Sequence, residues 1–279
     1  MDGLQKSSLL NNSRWVQSPT WPKVQQLLDE IKISDSYYTR GSGKANKLNE
    51  LAITTHRQWV KDIVDLSEFK YAYITAGATD AINHWRATDE RPWQFFTGDY
   101  QWPNIISQNG QESKYINSKD VLYISNPQCS DGNFRSLPNI DNPIILDCAY
   151  ITATAKQKMF IPRNTEQIMF SFSKGFGLIG QRCGIVYTKQ PHRSLHPLSK
   201  VECFNYSSAQ IMLAMMSNFS VDEMYYLYQD EQDRICDKYD LKPSDTYFIG
   251  TSTDPFYKKR RRIGDIARLC LTGMNNEKA

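Results

Sequence analysis

A series of apolar runs of strand length, all ending alike, constrains this chain most. WQFFTGD, VLYISNP, PIILDCAY, QIMFSFSK and CGIVYTK are each closed by Gly, Asn-Pro, Asp or Lys, so polar or reactive residues stand at their carboxyl ends. A further run, YAYIT from Tyr71 to Thr75, leads into AGATDAINHWRA, where a small-residue turn precedes helical spacing of Ile82 and Trp85. Runs this apolar are covered on both faces, as in a parallel sheet flanked by helices, and such sheets bind ligands beyond the carboxyl ends of their strands. The expected fold class is α/β with a mainly parallel sheet.

From about Val221 the pattern changes to a polar helix, VDEMYYLYQDEQDRICDKYD, followed by TYFIG and IARLCLTG, which predict two strands of a smaller α+β domain. The 279 residues, 40% hydrophobic, suffice for a large domain and a smaller one. The expected division is an N-terminal arm and small-domain segment over 1–44, a large domain over 45–220 and a C-terminal small domain over 221–279. A net charge of +3 is too small to imply nucleic acid or membrane binding. The basic run KKRRR, Lys258 to Arg262, is short and reads as a solvated loop. Six cysteines without a CxxC pair read as reduced thiols, and no run approaches the roughly 20 apolar residues of a membrane span, so a cytoplasmic, soluble protein is expected. His192 and His196 have helical ligand spacing but no carboxylate or cysteine beside them, so no metal site is expected. No spacing of Ser, Cys and His supports a hydrolase triad.

The stretch SFSKGFGLIGQRCGIVY, Ser171 to Tyr187, puts Lys174 at the end of a buried strand, where an ammonium is costly to desolvate. Asp147 and Tyr150 close another strand, and the AGAT turn opens a helix; in a parallel sheet these would meet in one crevice. Taken singly, AGAT is a tight turn and Asp147 a helix cap.

In order and spacing these segments resemble the fold-type I pyridoxal 5'-phosphate (PLP) enzymes, in particular the class I/II aminotransferases, from about Tyr37 to Gly273. The signature SxSKxxGxxGxRxG is matched by Ser171, Ser173, Lys174, Gly177, Gly180, Arg182 and Gly184; DxAY by Asp147, Ala149 and Tyr150; the Asn-Pro turn by Asn126 and Pro127; the aromatic WPN by Trp102, Pro103 and Asn104; and RLxLTG by a segment that begins at Arg268. The phosphate turn resembles GATDAI. The resemblance implies PLP held as a Schiff base on Lys174, whose freed amine moves the substrate's α-proton. It implies Asp147 against the pyridine nitrogen, Tyr150 and Asn126 on the ring's phenolic oxygen, and Trp102 stacked on the ring, with Tyr100 as a rival. Phosphate would be held by the N–H groups of Ala78 and Thr79, by Ser171 and by Arg182. Tyr38, or the adjacent Tyr37, would reach the phosphate of a neighbouring subunit, which implies a homodimer. Arg268, with Asn126 nearby, would take the substrate α-carboxylate.

The chain is shorter than a usual member, with the intervals from Trp102 to Asn126 and from Arg182 to Arg268 contracted, so a reduced small domain is expected. QCSDGNF follows Pro127 where the family usually has Asn-Pro-Thr-Gly. The activity implied is transfer of an amino group between an amino acid and a 2-oxo acid. A lyase or decarboxylase on the same scaffold, a cofactor-binding module without turnover, and an enzyme for carrier- or nucleotide-linked amines are the alternatives.

Overall fold

The computed structural model describes residues 3–12, 16–33, 43–116, 119–178 and 180–272. Tyr37 and Tyr38 lie outside these residues. The chain begins with helices α1 (Gly3–Asn12), α2 (Pro22–Glu30) and α3 (Lys44–Val60), then alternates through β1 (Tyr71–Thr75), α4 (Ala78–Thr88), β2 (Trp93–Phe96), α5 (Trp102–Ser107), β3 (Gly110–Ser113), β4 (Val121–Ser125), β5 (Ile144–Cys148), β6 (Thr165–Ser171) and β7 (Gly184–Thr188). Helices α6 (Leu195–Lys200), α7 (Tyr206–Asn218) and α8 (Glu223–Tyr239) follow. The short strands β8 (Lys242–Pro243), β9 (Ile249–Ser252), β10 (Arg261–Ile263) and β11 (Ile266–Cys270) come last.

Strands β1 to β7 form one sheet in the order β1-β7-β6-β5-β4-β2-β3. The neighbours from β3 to β6 are parallel, and β7 runs antiparallel to both β6 and β1. The carboxyl ends of β1, β2, β4, β5 and β6 therefore share one edge with the amino end of β7. The strand that the sequence pattern did not predict is β3, GQES. It is a polar edge strand, held by its ladder to β2 rather than by apolar burial.

Alternate residues of each central strand enter opposite faces, as the strand period of two requires. Leu122, Ile124, Ile144, Leu146 and Ile168 pack on the face that carries α3 and α7. Val121, Tyr123, Ile145, Met169 and Val186 pack on the face that carries α4 with Ile82 and Trp85. Helix α3 is shaped for this by the buried positions Ala45, Leu48, Ala52, His56 and Val60, spaced three or four apart. His56 is fully enclosed there, with Nδ1 3.0 Å from the Tyr187 hydroxyl, and burial lowers its pKa to about 3.

A second sheet, in the order β10-β11-β9-β8, is antiparallel throughout and packs on α8 through Ile235, Cys236 and Tyr239. It holds four strands where two were expected, and β9 begins at Ile249, inside the expected TYFIG run. Leu9 of α1 is buried in the same cluster beside Leu269 and Tyr257. Gln232 of α8 donates from Nε2 to the carbonyls of Ser244, Thr246 and Ile249, which fixes the turn before β9. Tyr247 in that turn donates to the Gly175 carbonyl at 2.7 Å, one residue past Lys174.

The basic run is solvated, as its charge implied, but it is not an irregular loop. Lys258 to Arg260 lie in a 3-10 turn, Arg261 and Arg262 form β10, and Arg260 donates to the Leu10 carbonyl at 3.1 Å. Buried Tyr257 anchors the turn from below, while four of the five basic side chains stay exposed.

Gly184 pairs with Thr75 on one side and Ser171 on the other. A Cβ at Gly184 would stand 2.7 Å from the Gly77 Cα and the Phe170 carbonyl oxygen. Gly184→Ala is therefore expected to lower the free energy of unfolding by about 1–3 kcal/mol in urea denaturation. Gly180→Ala, where nothing lies within 4 Å, should change it by no more than about 0.5 kcal/mol.

Candidate active site

The strand ends enclose a cavity of about 420 Å³, within the roughly 300–1,000 Å³ of pockets that take small molecules. Its floor is the SFSKGF turn after β6. Phe172 and Phe176 are fully buried and stack with Trp59, with Phe172 centred 5.2 Å from that ring. This anchoring leaves Ser171, Ser173 and Lys174 to line the cavity. Lys174 donates from Nζ to the Val16 carbonyl at 2.7 Å, and burial depresses its pKa, helped by the positive charges of Arg268 and Arg182.

Asp147 ends β5 on the α4 side. Its carboxylate accepts from the Tyr123 hydroxyl at 2.6 Å and from the Ala149 N–H at 2.9 Å. Burial nevertheless dominates and raises its pKa to about 6. Tyr150 lies just beyond, packed edge-on against Phe248, with its hydroxyl 3.9 Å from the Cys129 Sγ. Trp102 and Tyr100 both line the cavity. The Trp102 indole N–H donates to Asn83 at 2.8 Å, and Tyr100 is hydrogen-bonded to the Thr79 side chain.

At the start of α4 several donors converge with no acceptor. Gly77 has φ +84°, a conformation that favours glycine. A Cβ there would meet Arg182 Nη2 at 3.4 Å and Ser173 Oγ at 3.8 Å. Ser173 Oγ is buried without a hydrogen-bond partner, and among the described residues the Arg182 guanidinium has neither a hydrogen bond nor an ion pair. The Ala78 and Thr79 N–H groups open the helix, where the backbone dipole favours an anion. Ser171 Oγ accepts from the Ser173 N–H at 3.2 Å and borders the same cup.

Arg268 on β11 is 8% exposed and donates to the carbonyl and, at 3.1 Å, to the thiol sulfur of Cys129, while its Nε is buried without a partner. The sequence reading thus placed Lys174, Asp147, Tyr150, Trp102, Ala78, Thr79, Ser171, Arg182 and Arg268 around one cavity, and the structure brings these nine together. Asn126 is not among them. Its Oδ1 accepts from the Arg135 N–H at 3.0 Å and its Nδ2 faces the Arg135 carbonyl and Met159 sulfur, so its polar groups serve the loop after Pro127. Its neighbours Ser125 and Pro127 line the cavity instead. Tyr38 lies outside the described residues. Val16, Cys129 and Arg262 also line the cavity and were not expected there. Asp99, which also lines the cavity, pairs with the half-buried Arg135 at 3.3 Å.

Among the described residues no cluster of three or more His, Cys, Asp or Glu could hold a metal, no helix is long and apolar enough to cross a membrane, and the six cysteines are unpaired. His192 is buried, and His196 Nδ1 is 3.2 Å from the Tyr73 hydroxyl.

No protein-family model and no curated protein sequence matches the chain. Solved structures do. An aminotransferase from Staphylococcus aureus superposes with a TM-score of 0.65 at 12% identity, over 95% of this chain and 90% of that one. The L-threonine-O-3-phosphate decarboxylase from Porphyromonas gingivalis gives 0.63 at 13% identity, over 94% and 96%. The histidinol-phosphate aminotransferase from Sinorhizobium meliloti, solved in complex with pyridoxal 5'-phosphate, gives 0.62 at 14% identity, over 95% and 89%. The fold is therefore that of the fold-type I aminotransferases, with a mostly parallel seven-stranded sheet.

With no cofactor added, the raised pKa of Asp147 has a consequence for stability. The folded chain holds this proton more tightly than the unfolded chain, so the Asp147 carboxylate costs stability as pH rises from about 3.8 to about 6, and that cost persists above. Asp147→Asn should raise the free energy of unfolding at pH 8 by about 1–3 kcal/mol, and the gain should vanish near pH 3.8 in urea titrations at the two pH values.

Proposed function

We propose that the chain is a PLP-dependent aminotransferase that passes an amino group between an amino acid and a 2-oxo acid. The observation that carries this reading is the empty-handed donor cup of Ser173, Arg182 and the α4 start, set in one cavity with a desolvated lysine and a buried carboxylate. A phosphate monoester supplies the acceptors that such a cup lacks. When bound, PLP supplies an aldehyde for a lysine amine and a ring that draws electrons from the substrate's α-carbon.

The chain's own residues do the rest. Lys174 presents an amine whose burial favours the neutral, nucleophilic form, and its Nζ takes and returns the α-proton. Asp147 would hold a proton on the cofactor's ring nitrogen, its carboxylate oriented by the Tyr123 hydroxyl and the Ala149 N–H. Tyr150 would donate to the ring's phenolic oxygen, and either Trp102 or Tyr100 would cover the ring. The Ala78 and Thr79 N–H groups, Ser171, Ser173 and Arg182 hold the phosphate. Arg268 orients the substrate α-carboxylate through its planar fork.

A homodimer belongs to this reading, with Tyr38 of the partner subunit reaching the phosphate; the mass of the chain in solution measures it. The unpaired cysteines fit a reducing compartment such as the cytoplasm. The likeness to a decarboxylase supports a second reading, loss of carbon dioxide from the substrate on the same scaffold. Product analysis separates the two, since transamination yields a 2-oxo acid and decarboxylation an amine.

Adding PLP to the purified chain should give a visible absorption band, and borohydride followed by peptide mapping should place the reduced adduct on Lys174. Lys174→Ala should abolish both the adduct and turnover; an adduct on another lysine would overturn the assignment. Arg268→Ala should keep the band but lower kcat/KM for amino-acid donors by about 10- to 100-fold, the size of a lost charge-assisted hydrogen-bond pair.

A further inference from the structure

We propose that Asp99 is a positioning residue for Arg268: through Ser125 and the loop after Pro127 it fixes the carbonyl of Cys129, and that carbonyl holds the arginine in place for a carboxylate. The inference rests on the reading above, in which Arg268 takes the substrate α-carboxylate.

Asp99 stands in the turn after β2, buried and bordering the cavity. Its carboxylate gathers the Tyr100 N–H at 3.0 Å, the Ser125 N–H at 3.2 Å, the Ser125 hydroxyl, and Arg135 Nη2 at 3.3 Å. The Arg135 guanidinium answers the charge of Asp99, so what Asp99 passes on is geometry. Ser125 and Arg135 bracket the loop that carries Cys129. At its far end the Asn126 side chain clasps the Arg135 N–H and carbonyl. At its near end the Ser125 hydroxyl, having donated to Asp99, accepts from the Cys129 N–H at 2.8 Å. Between them the Gln128 N–H donates to the Asn133 carbonyl and the Gly132 N–H to the Gln128 carbonyl, both at 2.8 Å. Cys129 is thus held at its N–H, and its carbonyl and sulfur accept from Arg268 Nη1.

A long side chain that is ordered only when its ligand arrives gives up rotamer freedom at that moment, whereas one ordered beforehand has less to lose. Arg268 comes from β11 of the second sheet and Cys129 from the loop after β4, so the same contact also sets two walls of the cavity against each other. Burial makes the arrangement depend on a carboxylate at position 99. An asparagine there offers a single acceptor oxygen and turns an NH2 group toward one of the donors that Asp99 now accepts. Losing the Ser125 hydroxyl leaves the Cys129 N–H without its acceptor. Either change loosens the carbonyl that orders Arg268.

The test reads Arg268 itself, through the NMR signal of its Nε–H in the PLP-treated chain made with isotope-labelled arginine and assigned with Arg268→Lys. Acetate is the carboxylate probe, and the cofactor band shows that each variant keeps its site. In the wild type acetate should shift the Arg268 signal to saturation. Asp99→Asn and Ser125→Ala should each broaden that signal and weaken acetate binding at least about tenfold, equivalent to about 1.4 kcal/mol. Ser125→Thr, which keeps the hydroxyl, should restore both; a merely structural loss would leave the Arg268 signal sharp. If Asp99→Asn does not fold, Ser125→Ala against Ser125→Thr decides. A sharp signal and unchanged acetate binding in the folded variants, or no difference between Ser125→Ala and Ser125→Thr, would overturn the positioning role. No response to acetate in the wild type would overturn the assignment of Arg268 to a carboxylate, while broadening in the variants would still uphold the link from Asp99 to Arg268.

Discussion

Gly77 and Gly184 meet backbone to backbone where β1, β7 and β6 come together, and the donor cup takes its dimensions from that contact. Because neither residue carries a Cβ, the start of α4 sits directly over the first residue of β7. Arg182, two residues earlier, arrives beneath Gly77, and Ser173 approaches from the turn after β6. Main-chain packing places the backbone donors and the bases of Ser173 and Arg182, and the Arg182 side chain carries its guanidinium the rest of the way. Sites built on rigid elements hold their geometry better than sites built on loops.

The same edge of the sheet buries two groups of opposite tendency. Burial favours the neutral amine of Lys174 and the neutral carboxyl of Asp147. Burial thus holds both groups away from their ordinary charged forms, which surroundings chosen for stability alone would not require. The apolar layers on both sheet faces offset this cost, since each fully buried Ile or Leu contributes roughly 1.5–3 kcal/mol. Conflict between stability and local chemistry is expected at a site of this kind.

Most of the fold could be read from sequence because it rests on period and order, and the site residues followed from strand ends together with the resemblance to a known family. Apolar runs with polar ends gave six of the seven strands in the main sheet, their carboxyl ends gave Lys174, Asp147 and Tyr150, and the family signature gave Arg182. What escaped depends on contacts between distant segments. The side chain of Asn126 turns to Arg135 and Met159 because of the path taken by the loop after Pro127. Arg262 escaped because nothing in a basic run says which of its exposed members borders a cavity; that follows from where β10 pairs. Cys129 follows an Asn-Pro turn that carries no signal for an arginine partner 139 residues away. The strand β3 lacks the apolar residues that would have marked it.

The bond from Lys174 to the Val16 carbonyl belongs to a longer seam. Gln17 meets Cys270, Thr20 meets the Gly177 carbonyl, and Lys6 pairs with Asp254. Two of these contacts join residues 248 and 253 positions apart in the chain, and the other two join residues 157 and 158 apart. Contacts of such separation form late, because loop closure must precede any gain from them. During synthesis the central sheet has all seven strands once β7 has emerged, but the wall made by Val16 and Arg268 must wait for β11. The main sheet can be assembled while its cavity still stands open on one side, so the last tenth of the chain governs when a folded sheet becomes a closed site.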